Sequence, residues 1–413
     1  MKTTKEILVK NTLWLSSLEL ISKVVMFFVT VSVVRYFGAA NFGRLNYAQS
    51  FVGIIMLLSD FGLNTILIRD IAKDKTRVSS YLTSAIVVKA FSSLLVFAAL
   101  FVVVRTDLSL FFLVALFALA GSTAAIYTAV LSAYEAMQYI FITRLVHYCG
   151  VLTSVLLVIY LNLDLHYLVG FYTISSLLSI SVALYSLRSL GVKLVAKHDS
   201  DLTKKLLIQS LPIFGMLAIN QVYMNIDTVM IRHSFSTIEV GYYQAAYKIL
   251  FAFQAINLIT VVTFPRISSL YHSADYAKLK KLARLVVSAM LGIFVPFLLI
   301  IYMYSPYITT RIYGASYQPS ATVLPYLLTA GLIGFFKVFT GNFFLAANKE
   351  KIVFRASLVG LIVNISLNYF LIPNYGFTIA GITLMISEAA ALILLLAYLP
   401  HFASKKLTYH LPE

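Results

Sequence analysis

Residues 80–104 read SYLTSAIVVKAFSSLLVFAALFVVV, and residues 108–131 read LSLFFLVALFALAGSTAAIYTAVL, with only Arg105-Thr106-Asp107 between them. Each run has the ~20 apolar residues that a transmembrane helix needs. Three residues between them predict a tight helical hairpin. The pattern continues on both sides. Apolar runs bounded by charge and turn clusters fall at 12–34, 44–64, 80–104, 108–131, 142–162, 165–187, 209–232, 240–264, 283–304, 321–345, 353–372 and 377–399. Twelve membrane-spanning helices are expected, in an all-α integral membrane fold. Composition agrees: the 413 residues are 60% hydrophobic and 12% charged, about half the charge of a soluble domain. Mean hydropathy is +0.89. Twelve spans would use ~240 residues, which leaves short loops and no soluble domain. The basic N-terminus and the apolar stretch after it resemble a secretory signal. That stretch runs past Glu19 and Lys23 to about Val34 without a small-residue cleavage site, so it is expected to remain as the first helix.

Lys+Arg number 32 against 16 Asp+Glu, a net charge of +16. In a soluble protein such an excess suggests nucleic acid. Here the cations sort by membrane side. The termini and the loops after spans 2, 4, 6, 8 and 10 hold 23 of them, among them Arg69, Lys73, Lys75 and Arg77; Arg188, Lys193, Lys197, Lys204 and Lys205; and Arg266, Lys278, Lys280, Lys281 and Arg284. The opposite side holds five: Arg35, Arg44, Arg105, Arg232 and Arg311. By the positive-inside rule both termini are cytoplasmic. Most of the charge is topological, and no nucleic-acid partner is expected.

The longest inside loop divides the chain into a lobe at 1–188, a cytoplasmic linker at 189–208 and a lobe at 209–413. The halves show a weak parallel repeat at an offset near 197. Arg35, Phe42-Gly43 and Ala48 match Arg232, Val240-Gly241 and Ala246, and Arg69 matches Arg266. Duplicated halves with a substrate site between them are a common transporter plan.

Charges within spans cost about 2.5–3.5 kcal/mol each at a helix centre, so each needs a reason. In span 1, Thr12, Ser16, Glu19, Lys23 and Thr30 share one helix face, and Glu19 and Lys23 can pair. Span 7 carries Asn220, Gln221, Asn225, Asp227 and Arg232, with Pro212 near its start; its polar faces predict a cavity lining. Lys89, Lys248 and Lys337 lie mid-helix without a local acid. They are either cations for an anionic substrate or partners of Asp60, Asp227 or Glu388 across helices. Glu388, on one face with Gly381 and Ala391, is either a packed acid or a protonation site.

No phosphate-binding Gly-rich loop is present, and the seven histidines have no metal spacing. The one cysteine, Cys149, allows no internal disulfide. Asp199-Ser200-Asp201 resembles a metal–nucleotide motif of sugar transferases, but its place before a helix makes capping by Asp201 the better reading. No nucleophile–base set, resident metal or cofactor is expected, and the chain is not expected to be an enzyme.

Two segments resemble a known family. Arg35-Tyr36-Phe37-Gly38-Ala39-Ala40-Asn41-Phe42-Gly43 with Tyr47-Ala48, and Pro212, Asp227 and Val240-Gly241-Tyr242-Tyr243 with Ala245-Ala246-Tyr247-Lys248, are similar to signatures of Wzx-type O-antigen flippases. These are the polysaccharide branch of the multidrug/oligosaccharidyl-lipid/polysaccharide exporter superfamily. The resemblance implies transfer of undecaprenyl-diphosphate-linked oligosaccharide units from the inner to the outer leaflet of the bacterial inner membrane. It implies alternating access of two lobes, an H⁺ or Na⁺ gradient as driving force, membrane lipid as surroundings, and a polysaccharide polymerase and chain-length regulator as partners. On that implication Lys23, Lys89, Lys248, Lys337, Arg35 and Arg232 are candidates to meet the diphosphate, and Asp227, Glu388 and Glu19 candidates for ion coupling. A cation antiporter of the multidrug branch and a lipid II flippase remain open as alternatives.

Overall fold

The computed structural model describes residues 4–192, 195–196 and 199–407. Lys193 and Lys197 of the basic loop lie outside the described residues. Helices make up the fold, with no strand among the described residues. Among the described residues, ten helices are long and apolar enough to cross a membrane, or eleven if one bent pair counts as a span. The chain forms two compact units, Met1–Phe37 with Leu45–Gln221, and Gly38–Arg44 with Val222–Glu413.

The first unit contains most of α1 (Thr4–Ile55), the short α2 (Leu57–Asp60) and α3 (Leu63–Lys73), then α4 (Val78–Val103), α5 (Leu108–Ala133), α6 (Met137–Tyr160), α7 (Leu165–Ser189) and the start of α8 (Ser200–Ser234). The hairpin of α4 and α5 forms as the sequence predicts, with the rings of Phe97 and Phe112 meeting at 5.4 Å. Its core is built from Leu63, Ile66, Leu67 and Ile71 of α3, Ala85 and Val88 of α4, and Ile126 and Val130 of α5. Phe91, Leu94 and Phe101 of α4 point outward at 67–69% exposure. Large apolar side chains so exposed would be a liability in water and suit a lipid-facing surface.

The run Thr4–Ile55 is two helices joined at a kink, where Gly38 adopts φ 69° and ψ 176°. That backbone region is open essentially to glycine alone. The break falls between the limits predicted for spans 1 and 2. A second break, at Phe61 (φ 42°) and Gly62 (φ 72°), separates α2 from α3.

The second unit contains the rest of α8, then α9 (Thr237–Phe253), a 3₁₀ turn (Gln254–Asn257), α10 (Leu258–His272), α11 (Tyr276–Tyr313), α12 (Leu324–Ala346), α13 (Glu350–Tyr375) and α14 (Ile379–Leu407). α9 and α10 are the bent pair, at 40°, and together cover the eighth predicted span. Phe335 and Phe339 of α12 pack with Ile267 and Leu270 of α10 and Met290 of α11. The segment Gly38–Arg44 belongs to this unit through a close backbone crossing. A Cβ on Gly43 would lie 1.7 Å from the Thr237 carbonyl oxygen, and one on Gly241 would lie 2.1 Å from that of Ala39. Only glycine permits this approach at either position.

One local expectation is corrected. α8 begins at Ser200, and the Asp199 carboxylate accepts from the Leu202 N–H at 2.9 Å. Asp199, not Asp201, is the cap, because the helix starts before Asp201 and leaves it inside the first turn. Asp199 also pairs with Arg77 at 3.5 Å.

Candidate functional site

In the first unit, the α2–α3 break ends α2 at Asp60 and turns its carboxylate toward α4. There it pairs with Lys89. The Lys89 side chain is 5% exposed and that of Asp60 41%. Serines surround the pair. The hydroxyls of Ser59 and Ser93 meet at 3.1 Å, and Ser92 donates to the Val88 carbonyl at 2.7 Å.

The second unit holds a larger polar cluster. Asp227 of α8 is 4% exposed. Its carboxylate accepts from the Tyr243 hydroxyl of α9 at 2.7 Å and from the Asn368 side-chain amide of α13 at 2.6 Å. Asn368 also donates to the Asn364 side-chain oxygen at 3.3 Å and accepts from the Thr383 hydroxyl of α14. Beside this network Gln244 donates to Thr228. Three helices, α9, α13 and α14, thus supply a chain of neutral donors and acceptors to one buried carboxylate on α8. No ion pair to Asp227 occurs among the described residues.

A second acid lies close by. Glu388 of α14 pairs with Lys337 of α12 at 2.7 Å. The Lys337 ammonium sits 5.3 Å from the centre of the Tyr223 ring, and the Tyr223 hydroxyl meets that of Ser387 at 2.9 Å. Tyr223 therefore links the Glu388–Lys337 pair to α8.

Two of the three mid-helix lysines thus have acids across the helix interface, the pairing that their sequence left open. Both pairs, Asp60 with Lys89 and Lys337 with Glu388, are tertiary and not local. Lys248 on α9 is half-buried and forms no ion pair among the described residues. Lys23 is half-buried and Glu19 exposed on α1, and the pairing expected between them does not form among the described residues. Of their shared stripe, the Thr12 and Ser16 side chains lie outside the described residues. Arg35 is exposed just before the Gly38 kink, and Arg232 is half-buried near the end of α8. Arg232 donates to the Phe235 carbonyl, one residue past the end of α8, at 3.1 Å.

Sequence reasoning missed Asn364, Asn368, Thr383 and Ser387. All four are fully buried. Asn364 and Asn368 stand four apart on α13, so one helix face presents both. That spacing is the signal that could have found them.

A model of the polysaccharide biosynthesis protein family matches residues 8–271. The chain belongs to this family. A second family model, MatE, matches residues 212–370. The resemblance drawn from the sequence to the polysaccharide branch of the exporter superfamily is borne out. Over 396 residues the chain is 22% identical to the capsular polysaccharide biosynthesis protein CapF of Staphylococcus aureus, covering 94% of this chain and 98% of that one. It is also 22% identical over 398 residues to the probable low-salt glycan biosynthesis flippase Agl15 of Haloferax volcanii, covering 91% and 80%. Among solved structures, the lipid II flippase MurJ in an inward closed conformation matches with a TM-score of 0.75 at 15% identity, covering 94% of this chain and 87% of that one. An inward-facing multidrug resistance transporter matches with a TM-score of 0.66 at 13% identity, covering 94% and 95%. At those identities the likeness speaks for the fold.

Proposed function

We propose that this multi-pass membrane protein is a flippase for undecaprenyl-diphosphate-linked oligosaccharide repeat units, the precursors of O-antigen or a related surface polysaccharide. It moves them from the inner to the outer leaflet of the cytoplasmic membrane by alternating access, with both termini cytoplasmic. It makes and breaks no covalent bond in doing so. A polymerase and a chain-length regulator act on the delivered unit. The observation that carries this reading is the family match over 8–271 on a chain of ten or eleven apolar spans. The names of the two relatives support it, one a capsule protein and one a flippase.

Counting the two arms of α1 separately, and α9 with α10 as one, brings the spans to the twelve of the proposed architecture. The glycine crossing supports a parallel repeat of two six-helix lobes. Adding 198 to 39 and 43 gives 237 and 241, so the close contacts at Gly43 and Gly241 fall at matching positions of the repeat.

A sugar cannot cross hydrocarbon unaided, and a diphosphate requires cations. Lys248 and Lys23, which form no ion pair among the described residues, are the first candidates to meet it. Arg35 and Arg232 are candidates at the outer helix ends, and Lys89 and Lys337 act only if their acids release them. Asp227 is the lead coupling site for H⁺ or Na⁺. A buried carboxylate held by neutral donors can change its charge state without stranding a cation. Glu388 and Glu19 are the lesser candidates.

The test is a deletion in the parent cell, with labelling of undecaprenyl-linked units from either face of inner-membrane vesicles. The expected result is loss of surface polymer with complete units trapped on the cytoplasmic face. Normal polymer overturns the proposal. Complete but unpolymerised units on the outer face also overturn it, and point to a polymerase.

A further inference from the structure

α5, α6 and α7 line a half-open cavity of about 170 Å³ within the first unit, bounded among others by Thr128, Thr143, Arg144, His147, Tyr148 and Ser179. None of the residues proposed above for substrate or ion lines it. Its chemistry is one-sided: the lining holds a guanidinium, an imidazole, a phenol and three hydroxyls, and no carboxylate. Arg144 lies seven residues into α6, or about 10 Å along the helix, and makes no ion pair among the described residues. His147 follows one turn later on the same face. Its ring lies flat against Phe117 of α5, at 6.2 Å between centres and 10° between planes. This ring contact packs the imidazole into the cavity wall.

The strongest sign of an unfilled role is Thr143. It is 1% exposed, it lines the cavity, and its hydroxyl oxygen has no hydrogen-bond partner. A buried polar group left unpaired costs about 1–3 kcal/mol. The hydroxyls of Thr128 and Ser179, by contrast, donate to Ala125 and Ser176 within their own helices.

We propose that this cavity binds a phosphate oxyanion. Arg144 supplies the charge and a planar fork of donors that matches such an oxyanion. His147 and Thr143 supply neutral donors from the same helix. The volume is well below the ~300–1,000 Å³ of pockets for drug-sized ligands, so the site takes a phosphate or diphosphate group and not an oligosaccharide. The source is either the head of a lipid phosphate or free phosphate. Direct binding tests the site on its own terms, whatever is transported.

The full-length protein in phosphatidylcholine nanodiscs would be titrated by calorimetry with inorganic phosphate, inorganic pyrophosphate and farnesyl diphosphate. Trp14, the one tryptophan, packs on Phe141 of α6 at 4.9 Å between ring centres, one turn from Arg144. Its fluorescence reports on the same helix as a second reading. Saturable binding of at least one probe is expected. It should weaken about tenfold or more in Arg144→Gln, and less in His147→Gln. Gly121→Leu removes no donor; a Cβ at Gly121 meets nothing within 4 Å, so the larger side chain projects into the cavity that Gly121 lines. It should abolish binding while the melting temperature holds. Farnesyl diphosphate binding tighter than pyrophosphate assigns the site to a lipid head, and equal binding assigns it to a free anion. Absence of saturable binding, or binding unchanged in Arg144→Gln and Gly121→Leu, overturns the proposal.

Discussion

The two units solve one problem in opposite ways. In the first, the Asp60 carboxylate faces the Lys89 ammonium. In the second, the Asp227 carboxylate faces a tyrosine hydroxyl and an amide, both neutral. An acid with a cation beside it cannot lose its charge without stranding its partner. An acid with neutral donors can take a proton or a bound cation and strand no counter-charge. The first arrangement suits a structural joint and the second suits a coupling site. Glu388 with Lys337 shows that the second unit uses the paired arrangement too, so the contrast belongs to the residues and not to the units as such.

The largest effect should separate the two aspartates by transport. Asp227→Asn keeps the shape and one acceptor oxygen, so the folded protein should survive. Its export should fall by a factor in the range of about 5- to 150-fold typical of a lost coupling, and what remains should no longer depend on the ion gradient. Unchanged gradient dependence in vesicle transport would remove Asp227 from the mechanism and leave it a packing residue.

The converse change concerns stability. Asp60→Asn leaves the Lys89 ammonium buried without its counter-charge. Breaking a fully buried pair costs about 3–5 kcal/mol. The Asp60 side chain is 41% exposed, which reduces that to about 2 kcal/mol. Lys89→Met should cost less, because the Asp60 carboxylate left behind can be hydrated. The double variant should regain most of the loss of Asp60→Asn. Thermal unfolding of the purified variants checks this order, and equal losses for the two single changes would contradict the asymmetry.

Tyr243→Phe tests the neutral network directly. It deletes one of two hydrogen bonds to a carboxylate, worth about 1.5 kcal/mol at the lower end for charged acceptors. Stability should fall by that much while the gradient dependence persists, since the acid itself remains. A loss of coupling as large as in Asp227→Asn would instead make the tyrosine hydroxyl part of the ion site.

How much of this was legible in the sequence follows from the range of each signal. The hairpin at 80–131 needed only local hydropathy, and it formed as read. The kink at Gly38 was legible only as a gap between spans, because helical residues run up to the glycine from both sides and a single residue makes the break. Lys89 and Lys337 looked unpartnered because their acids lie on other helices. Packing alone decides whether a cation without a local acid has a partner. Asn364 and Asn368 escaped notice for another reason: uncharged amides do not stand out when the search is for charge, yet Asn368 donates directly to Asp227 and Asn364 accepts from Asn368 beside it.

Asp199 supplies the control for the comparison, as an aspartate of the first unit that faces water. Its carboxylate caps α8 through the Leu202 N–H, and its side chain is 36% exposed. Asp199→Ala should cost about 1 kcal/mol, the usual worth of such a cap, and the exposed pair with Arg77 should add little. Asp201, exposed in the first turn, meets the positive end of the helix dipole and should cost about 0.3 kcal/mol on the same change. Unfolding of the two alanine variants distinguishes them, and equal losses would return the cap to Asp201. If Asp199 proves the smaller effect beside Asp60, the gap between them measures what burial adds to a carboxylate whose partner is a cation.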